Sequence, residues 1–498
     1  MLTRAIWAGL LASVSAFLLD PNVCHRSALG RPRGAKKACD LVRKGGMATT
    51  GHMQRTLMSA NPAFSGGLNE WAVLGRDDVE FERYVGSVSY TESVTMQGDG
   101  PTLTDEGTFR ASDFTATVGT ASVRVFQGKL TNIQMLTRGD DVRVTLKEYP
   151  QPNDDDGVDL ADTEARAIAA LASAEWNFSP RLYGQFQLEF CAGQSAEGDA
   201  QWTAMMNCPP PRKAAKWLVW AYEGDGGNTL QSFSRPTAVR IAAAAQLRGG
   251  RRSLGLAPLP KDVPWSQTAR FVLKGIVPQA LTAVSRLHDA GFAHRVLSPA
   301  SFQLSTTQGM NKNVALETCD PSLLSLRLSD FGRATTLGLE ADELVAQDWQ
   351  ALGLIILQVL LTALAEVKVI DPATGQYVAI PYPEFSVADL KRQIALFDGL
   401  VAGENGFAEF CRGEPAWSKV VALLDADDGA GWDFVQGLLS ASPAVSGGGG
   451  SSSGADNRCS TLATHPFLDS QTVENAIQAA AGGQGRQGLG GLFKLFGG

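Results

Sequence analysis

The sequence predicts an α+β fold, a small sheet followed by a larger helical part, on three observations. Residues 86–150 are Val-rich and Thr-rich runs broken by Gly and Asp, the pattern of strands joined by turns. In the C-terminal half apolar residues recur at helical spacing, beginning with Phe271, Ile276, Ala280, Val284 and Leu287 within 265–290. The run from Leu352 to Ala365 is nearly all apolar, interrupted by Gln358; it falls short of the roughly 20 residues that span a bilayer and suits a buried core helix.

Taken in chain order, residues 1–16 read as a signal peptide. Ala5 to Leu19 forms an apolar core, with small residues at Val14-Ser15-Ala16 for cleavage. Residues 17–50 carry Arg26, Arg31, Arg33, Lys36, Lys37, Arg43 and Lys44 with few acids, which is transit-peptide composition. The junction Ala12-Ser13-Val14-Ser15-Ala16-Phe17 resembles the bipartite plastid leader of algae with complex plastids, which implies a plastid address; secretion with a basic propeptide is the alternative. Residues 51–85 lack a period and read as a connector. Strands through 86–150 end in Val142-Arg143-Val144-Thr145-Leu146-Lys147, and Thr163 to Leu171 is rich in helix formers. Trp217-Leu218-Val219-Trp220 is a strand running into a Gly-rich turn. Residues 446–454, mostly Gly and Ser, read as a flexible insertion, and 471–498 as a flexible tail.

Charge excludes one class of partner. The first fifty residues hold eight Lys or Arg against two Asp or Glu, while the whole chain has 43 against 51. The body is therefore acidic and shows no basic stripe of the kind that binds nucleic acid. The seven cysteines form no CxxC pair and have no His at ligand spacing, so neither a zinc site nor a disulfide framework is indicated.

Three segments, in order, carry the functional signal: Leu287-His288 to His294-Arg295-Val296-Leu297-Ser298-Pro299-Ala300-Ser301, then Leu328-Ser329-Asp330-Phe331-Gly332, then Asp348-Trp349-Gln350-Ala351-Leu352-Gly353. A further stretch, Arg458-Cys459-Ser460-Thr461-Leu462 before His465-Pro466-Phe467, closes the series. Together they resemble the eukaryotic protein kinases over about residues 85–470. The resemblance implies a two-lobed protein-kinase-like fold, with a β-rich N-lobe over 86–220 and a helical C-lobe over 221–470. It further implies that Lys147, at a strand end, grips nucleotide phosphates and pairs with Glu164, that Asp330 binds magnesium, and that Tyr222 and Glu223 lie in the lobe-connecting hinge. The stretch Trp217 to Leu230 looks like the hinge of the thylakoid state-transition kinases.

The departures from the family matter as much. Val296 stands where the family has its catalytic Asp, Ser298 where it has the phosphate-neutralising Lys, and Ser301 where it has the Asn that holds a second magnesium. A valine accepts no proton, and Ser301 is a weak metal ligand. The glycine-rich phosphate loop is expected just before Val125, where the nearby glycine is Gly119, with Ser122 and Val123 in place of residues without a Cβ. Only 18 positions separate Asp330 from Asp348, too few for a substrate-docking segment, and the family's usual partners of Arg295 and Arg458 are missing, leaving Asp342 and Glu343 as substitutes. These losses together imply a pseudokinase: a scaffold or allosteric partner of plastid proteins that binds ATP weakly, with magnesium at Asp330. The alternatives are an active unconventional Ser/Thr kinase drawing its base from Asp320, and a structural protein with no ligand. The end of the chain, Leu489 to Phe496, alternates apolar residues with Gly and one Lys, a composition suited to peripheral membrane contact.

Overall fold

The computed structural model describes residues 78–482, except 98–101, 104–108, 111–112, 132–142, 152–158, 188–195, 224–228, 237–262, 307–315, 371–376, 380–383, 441–461 and a few single positions. All of these belong to one unit, Ala63–Gly498. The leader, the insertion 446–454, Arg458 and the motif Leu489 to Phe496 lie outside the described residues.

The chain is mixed α+β. Strands β1 (Val79–Gln97), β2 (Asp113–Leu130), β3 (Arg143–Tyr149), β4 (Leu182–Gln187) and β5 (Lys216–Ala221) form a five-stranded sheet in the order β1-β2-β3-β5-β4. Every neighbouring pair is antiparallel. The first strand begins at Val79, inside the span read as connector, because Val79 and Phe81 alternate into the core in a stretch whose Arg and Glu residues hide the pattern.

Alternation along the strands gives the sheet two different faces. Val144 and Leu146 of β3 and Trp217 and Val219 of β5 point to one face, where they meet Phe81, Phe126 and the Trp202 and Met206 side chains of α2 (Ala196–Met206). Lys147 and Tyr149 of β3, with Leu218 and Trp220 of β5, point to the other. There α1 (Leu160–Ser173) packs Leu160, Ala161, Ala167, Ile168 and Leu171 inward at helical spacing, with Glu164 on the same stripe. Asp159 caps α1 by accepting from the Asp162 amide at 3.0 Å. Lys216 of β5 pairs with Asp159 and Asp162 and so pins that helix end to the sheet.

The helical part contains α3, in which Trp265–Arg270, a π-helical turn Phe271–Ile276 and Val277–Asp289 run on from one another. Its expected inward stripe is buried. Strands β6 (Phe302–Thr306) and β7 (Leu324–Leu328) pair antiparallel beside it. The apolar run sits in α4 (Ala341–Ala363), buried at every position from Leu352 to Ala363 but Gln358, whose amide donates to the Phe385 carbonyl at 2.7 Å. At 23 residues α4 is longer than the run suggested, and by length and composition alone it would span a bilayer; 72% of that window is buried inside the protein. Around it lie α5 (Val387–Ile394), α6 (Phe407–Arg412), α7 (Ser418–Leu424), α8 (Ala426–Leu439) and α9 (Ser470–Gly482).

Helix α9 corrects the reading of 471–498 as flexible tail over its first part. Val473, Ala476, Ile477 and Ala480 are buried, and Glu474 pairs with Arg270 and Lys274 of α3. Small alanines at the inward positions gave a weak apolar signal, although they suit a helix.

Candidate functional site

Lys147 ends up buried on the α1 face of the sheet because its strand alternates and because α1 follows directly. Its ammonium donates to Glu164 Oε1 at 2.7 Å and to Asp330 Oδ1 at 2.8 Å. The Trp220 ring centroid lies 5.1 Å from Nζ, close enough for a cation–π contribution. Three residues named from sequence, widely separated along the chain, are thus brought together. Glu164 is fully buried, and its second oxygen accepts from the Tyr149 hydroxyl.

Burial alone would drive the Lys147 ammonium toward neutrality, but the charges of Asp330 and Glu164 outweigh it and hold its pKa above the ordinary lysine value. Burial pushes Glu164 upward, against the attraction of Lys147. Tyr149 is pushed well above the ordinary phenol range by burial and by the Glu164 charge.

Asp330 adopts a left-handed backbone conformation (φ 71°, ψ 47°) at the start of the turn Phe331–Arg333. Its surroundings are tightly tied. The Ser329 amide donates to the Ser301 carbonyl at 2.8 Å, and His294 Nε2 meets the Ser329 carbonyl at 3.0 Å. Asp348, buried on α4, accepts from the His294 amide at 2.7 Å, the Arg295 amide at 2.8 Å and His288 Nε2 at 3.0 Å. The three motif segments therefore form one hydrogen-bonded assembly, with Asp348 as its anchor. Between Asp330 and α4 the chain has room for one turn and a two-residue strand, Thr335–Thr336, paired with Phe292–Ala293.

A cleft of about 230 Å³ opens onto Lys147 and Asp330. One wall is Val85, Gly86, Ser87 and Val88 of β1 with Val125 and Thr145; the other includes Glu223, Thr229, Gln231, Ala300, Gln303 and Ser329. The strand over the cleft is thus β1 at Gly86, paired with Val125. Gly119, Ser122 and Val123, where the phosphate loop was expected, lie elsewhere: Gly119 pairs with Glu92 further along the hairpin, Val123 is in the core, and the Ser122 carbonyl accepts from Arg212. The hairpin is far longer than expected, which displaced the reading, and a register shift between Tyr84 and Gly86 marks the segment that borders the cleft.

Val296 is partly buried and packs against the core. The Ser298 and Ser301 hydroxyls face each other at 3.0 Å in a capping box. Neither serine is among the residues lining the cleft, and Asp330 Oδ1 is held by Lys147. Among the described residues no three His, Cys, Asp or Glu side chains gather closely enough to hold a metal ion. Glu223 lines the cleft and accepts from Ser305 Oγ at 3.3 Å, whereas Tyr222 lies outside it, its ring centroid 6.0 Å from the Arg143 guanidinium carbon. Asp320 is fully exposed and caps a turn, accepting from the Ser322 amide at 2.9 Å and its hydroxyl at 2.8 Å. Asp320 is not among the residues lining the cleft.

One neighbour had no motif to announce it. Tyr90 of β1 is 2% exposed. A Cβ placed on Gly332 would meet the Tyr90 ring at 3.3 Å, so the ring lies flush against that glycine. Its hydroxyl sits beside Glu164 and Gly332 without a well-formed hydrogen bond among the described residues. Burial, reinforced by the charges of Glu164 and Asp330, pushes this phenol well above its ordinary range. Comparison with protein-family models and with curated proteins finds no match for this chain.

Proposed function

We propose that this protein is a catalytically silent kinase-like protein, a pseudokinase, that serves as a scaffold or allosteric partner in the plastid. The observation that carries the reading is the meeting of Lys147, Glu164 and Asp330, each carboxylate lying within 2.8 Å of the Lys147 ammonium. All three are residues that the sequence resemblance implies for a nucleotide site. The two-lobed kinase arrangement accounts for a five-stranded sheet with one helix on the Lys147 face, followed by helices around buried α4. Silence follows from chemistry: a valine at 296 takes no proton, and the serines at 298 and 301 are occupied with each other. Loss of charge stabilisation at the reacting group alone costs orders of magnitude in rate.

ATP is the ligand the resemblance implies, and Lys147 already committed to two carboxylates makes its binding weak. The test is transfer from radiolabelled ATP with magnesium to generic protein substrates. No transfer above background is expected. Magnesium-dependent transfer that disappears in Asp330→Ala would establish an unconventional enzyme instead. A reporter carrying residues 1–50 checks the address, with plastid sorting expected and cytosolic or extracellular sorting refuting it.

A further inference from the structure

We infer that the cleft prefers an uncharged, hydroxyl-bearing heteroaromatic of nucleoside size over a nucleotide. This rests on the cleft being the ligand site of the proposed pseudokinase and names what it selects.

Charge is the first ground. Among the described residues that line the cleft, the one cation, Lys147, is paired with Asp330 and Glu223 is a second carboxylate, while Glu164 holds Lys147 from behind. An anionic ligand is held best by a cation whose charge is not already matched, and two of this ammonium's three N–H donors serve buried or cleft carboxylates while the Trp220 ring lies beside it. A polyphosphate would compete with Asp330 and Glu164 for Lys147 and would lie beside the Asp330 carboxylate, a like-charge contact in a partly buried place.

Space is the second ground. About 230 Å³ lies below the roughly 300–1,000 Å³ usual for drug-sized ligands. The walls suit a neutral ring system. Val85, Val88, Val125 and Ala300 offer apolar surface, while Thr145 and Gln303 supply uncharged donors and acceptors.

The experiment is calorimetric titration of the full chain with adenosine, and with ATP in the presence and absence of magnesium. Adenosine is expected to bind at least about tenfold more tightly than ATP, a difference of about 1.4 kcal/mol. Asp330→Asn releases Lys147 from one carboxylate and is expected to strengthen ATP binding, the opposite of what loss of a magnesium ligand would do. Glu223→Gln keeps the acceptor for Ser305 and removes a charge, so it should shift the preference in the same direction should the Asp330 variant fail to fold. Thr145→Phe, which fills the cleft, is expected to abolish adenosine binding. Tighter binding of magnesium-ATP than of adenosine, weaker ATP binding in the folded Asp330→Asn protein, adenosine binding that survives Thr145→Phe, or no adenosine binding at all would each overturn the inference. These readouts are independent of phosphoryl transfer, so ATP preference without transfer sinks this inference and leaves the pseudokinase reading standing.

Discussion

Replacing Lys147 by Met keeps much of the side-chain bulk and removes the ammonium from between Glu164 and Asp330. Removing one partner of a buried ion pair typically costs about 3–5 kcal/mol. For Glu164, which is fully buried, that cost has a ceiling, because the carboxylate can take up a proton instead. Protonating a carboxylate of ordinary pKa about 4.3 at pH 7 requires about 3.7 kcal/mol, and the requirement falls by about 1.4 kcal/mol for each pH unit. Asp330 borders the cleft, whereas Glu164 is enclosed on all sides, so Glu164 sets the scale. The sign follows from linkage: an unpaired Glu164 has a folded-state pKa raised above its unfolded value, so the variant gains stability as pH falls. Urea unfolding followed by tryptophan fluorescence should therefore show Lys147→Met less stable by about 3–4 kcal/mol at pH 7 and by about 1–2 kcal/mol at pH 5.5. Adding Glu164→Gln should recover most of the loss. A deficit under about 1 kcal/mol at pH 7, of the size typical for exposed pairs, or one equal at both pH values, would refute the buried-triad reasoning.

Stability of the unmodified protein should fall on the alkaline side. Lys147, Tyr90 and Tyr149 all have raised folded-state pKa values, so their contributions are complete below about pH 10 and lost as pH rises further; pH titration of the urea midpoint checks this, and Lys147→Met should flatten the decline. Gly353→Ala should destabilise by about 1–3 kcal/mol by overpacking, despite alanine's better helix propensity, because its Cβ would lie 2.8 Å from Leu438 Cβ where α4 meets α8; a rise in melting temperature would show that the helices separate freely. Ending the chain at residue 469 should lower the melting temperature by uncovering the sites of Val473 and Ile477, whereas ending it at 482 should not, and equal melting of the two truncations would contradict the docking of α9.

What the sequence disclosed was chemistry that a motif keeps at fixed spacing. Asp330 and Asp348 could be placed because each stands within a short recognisable string, and Lys147 because it closes a Val-rich strand. Tyr149 and Tyr90 could not, since a tyrosine in a strand reads as ordinary β propensity until the register sets it beside Glu164. The hairpin misled for a related reason. Polar residues alternate along β1, and no pattern in it marks where the cleft wall ends and the extension begins. Asp320 looked available because it is a carboxylate between two motifs; its capping of Ser322 is a local bond that spacing does not reveal. Alanine-rich α9 hid its inward face because alanine suits helix interiors and cores alike.

The length of the first hairpin has a mechanical consequence. Strand β2 pairs with β3 only from Arg124 to Lys129, while its pairing with β1 continues out to Asp113. Beyond Ala121 the pairing of β1 with β2 continues as a two-stranded ribbon for roughly 25 Å at about 3.3 Å per residue, and such a ribbon is marginal without further support. Tyr90 stands opposite Ala121, at the root of this arm. The root of the arm therefore serves two parts of the protein at once: Tyr90 is a rung of the ribbon's base and, through its ring against Gly332, part of the packing behind Asp330.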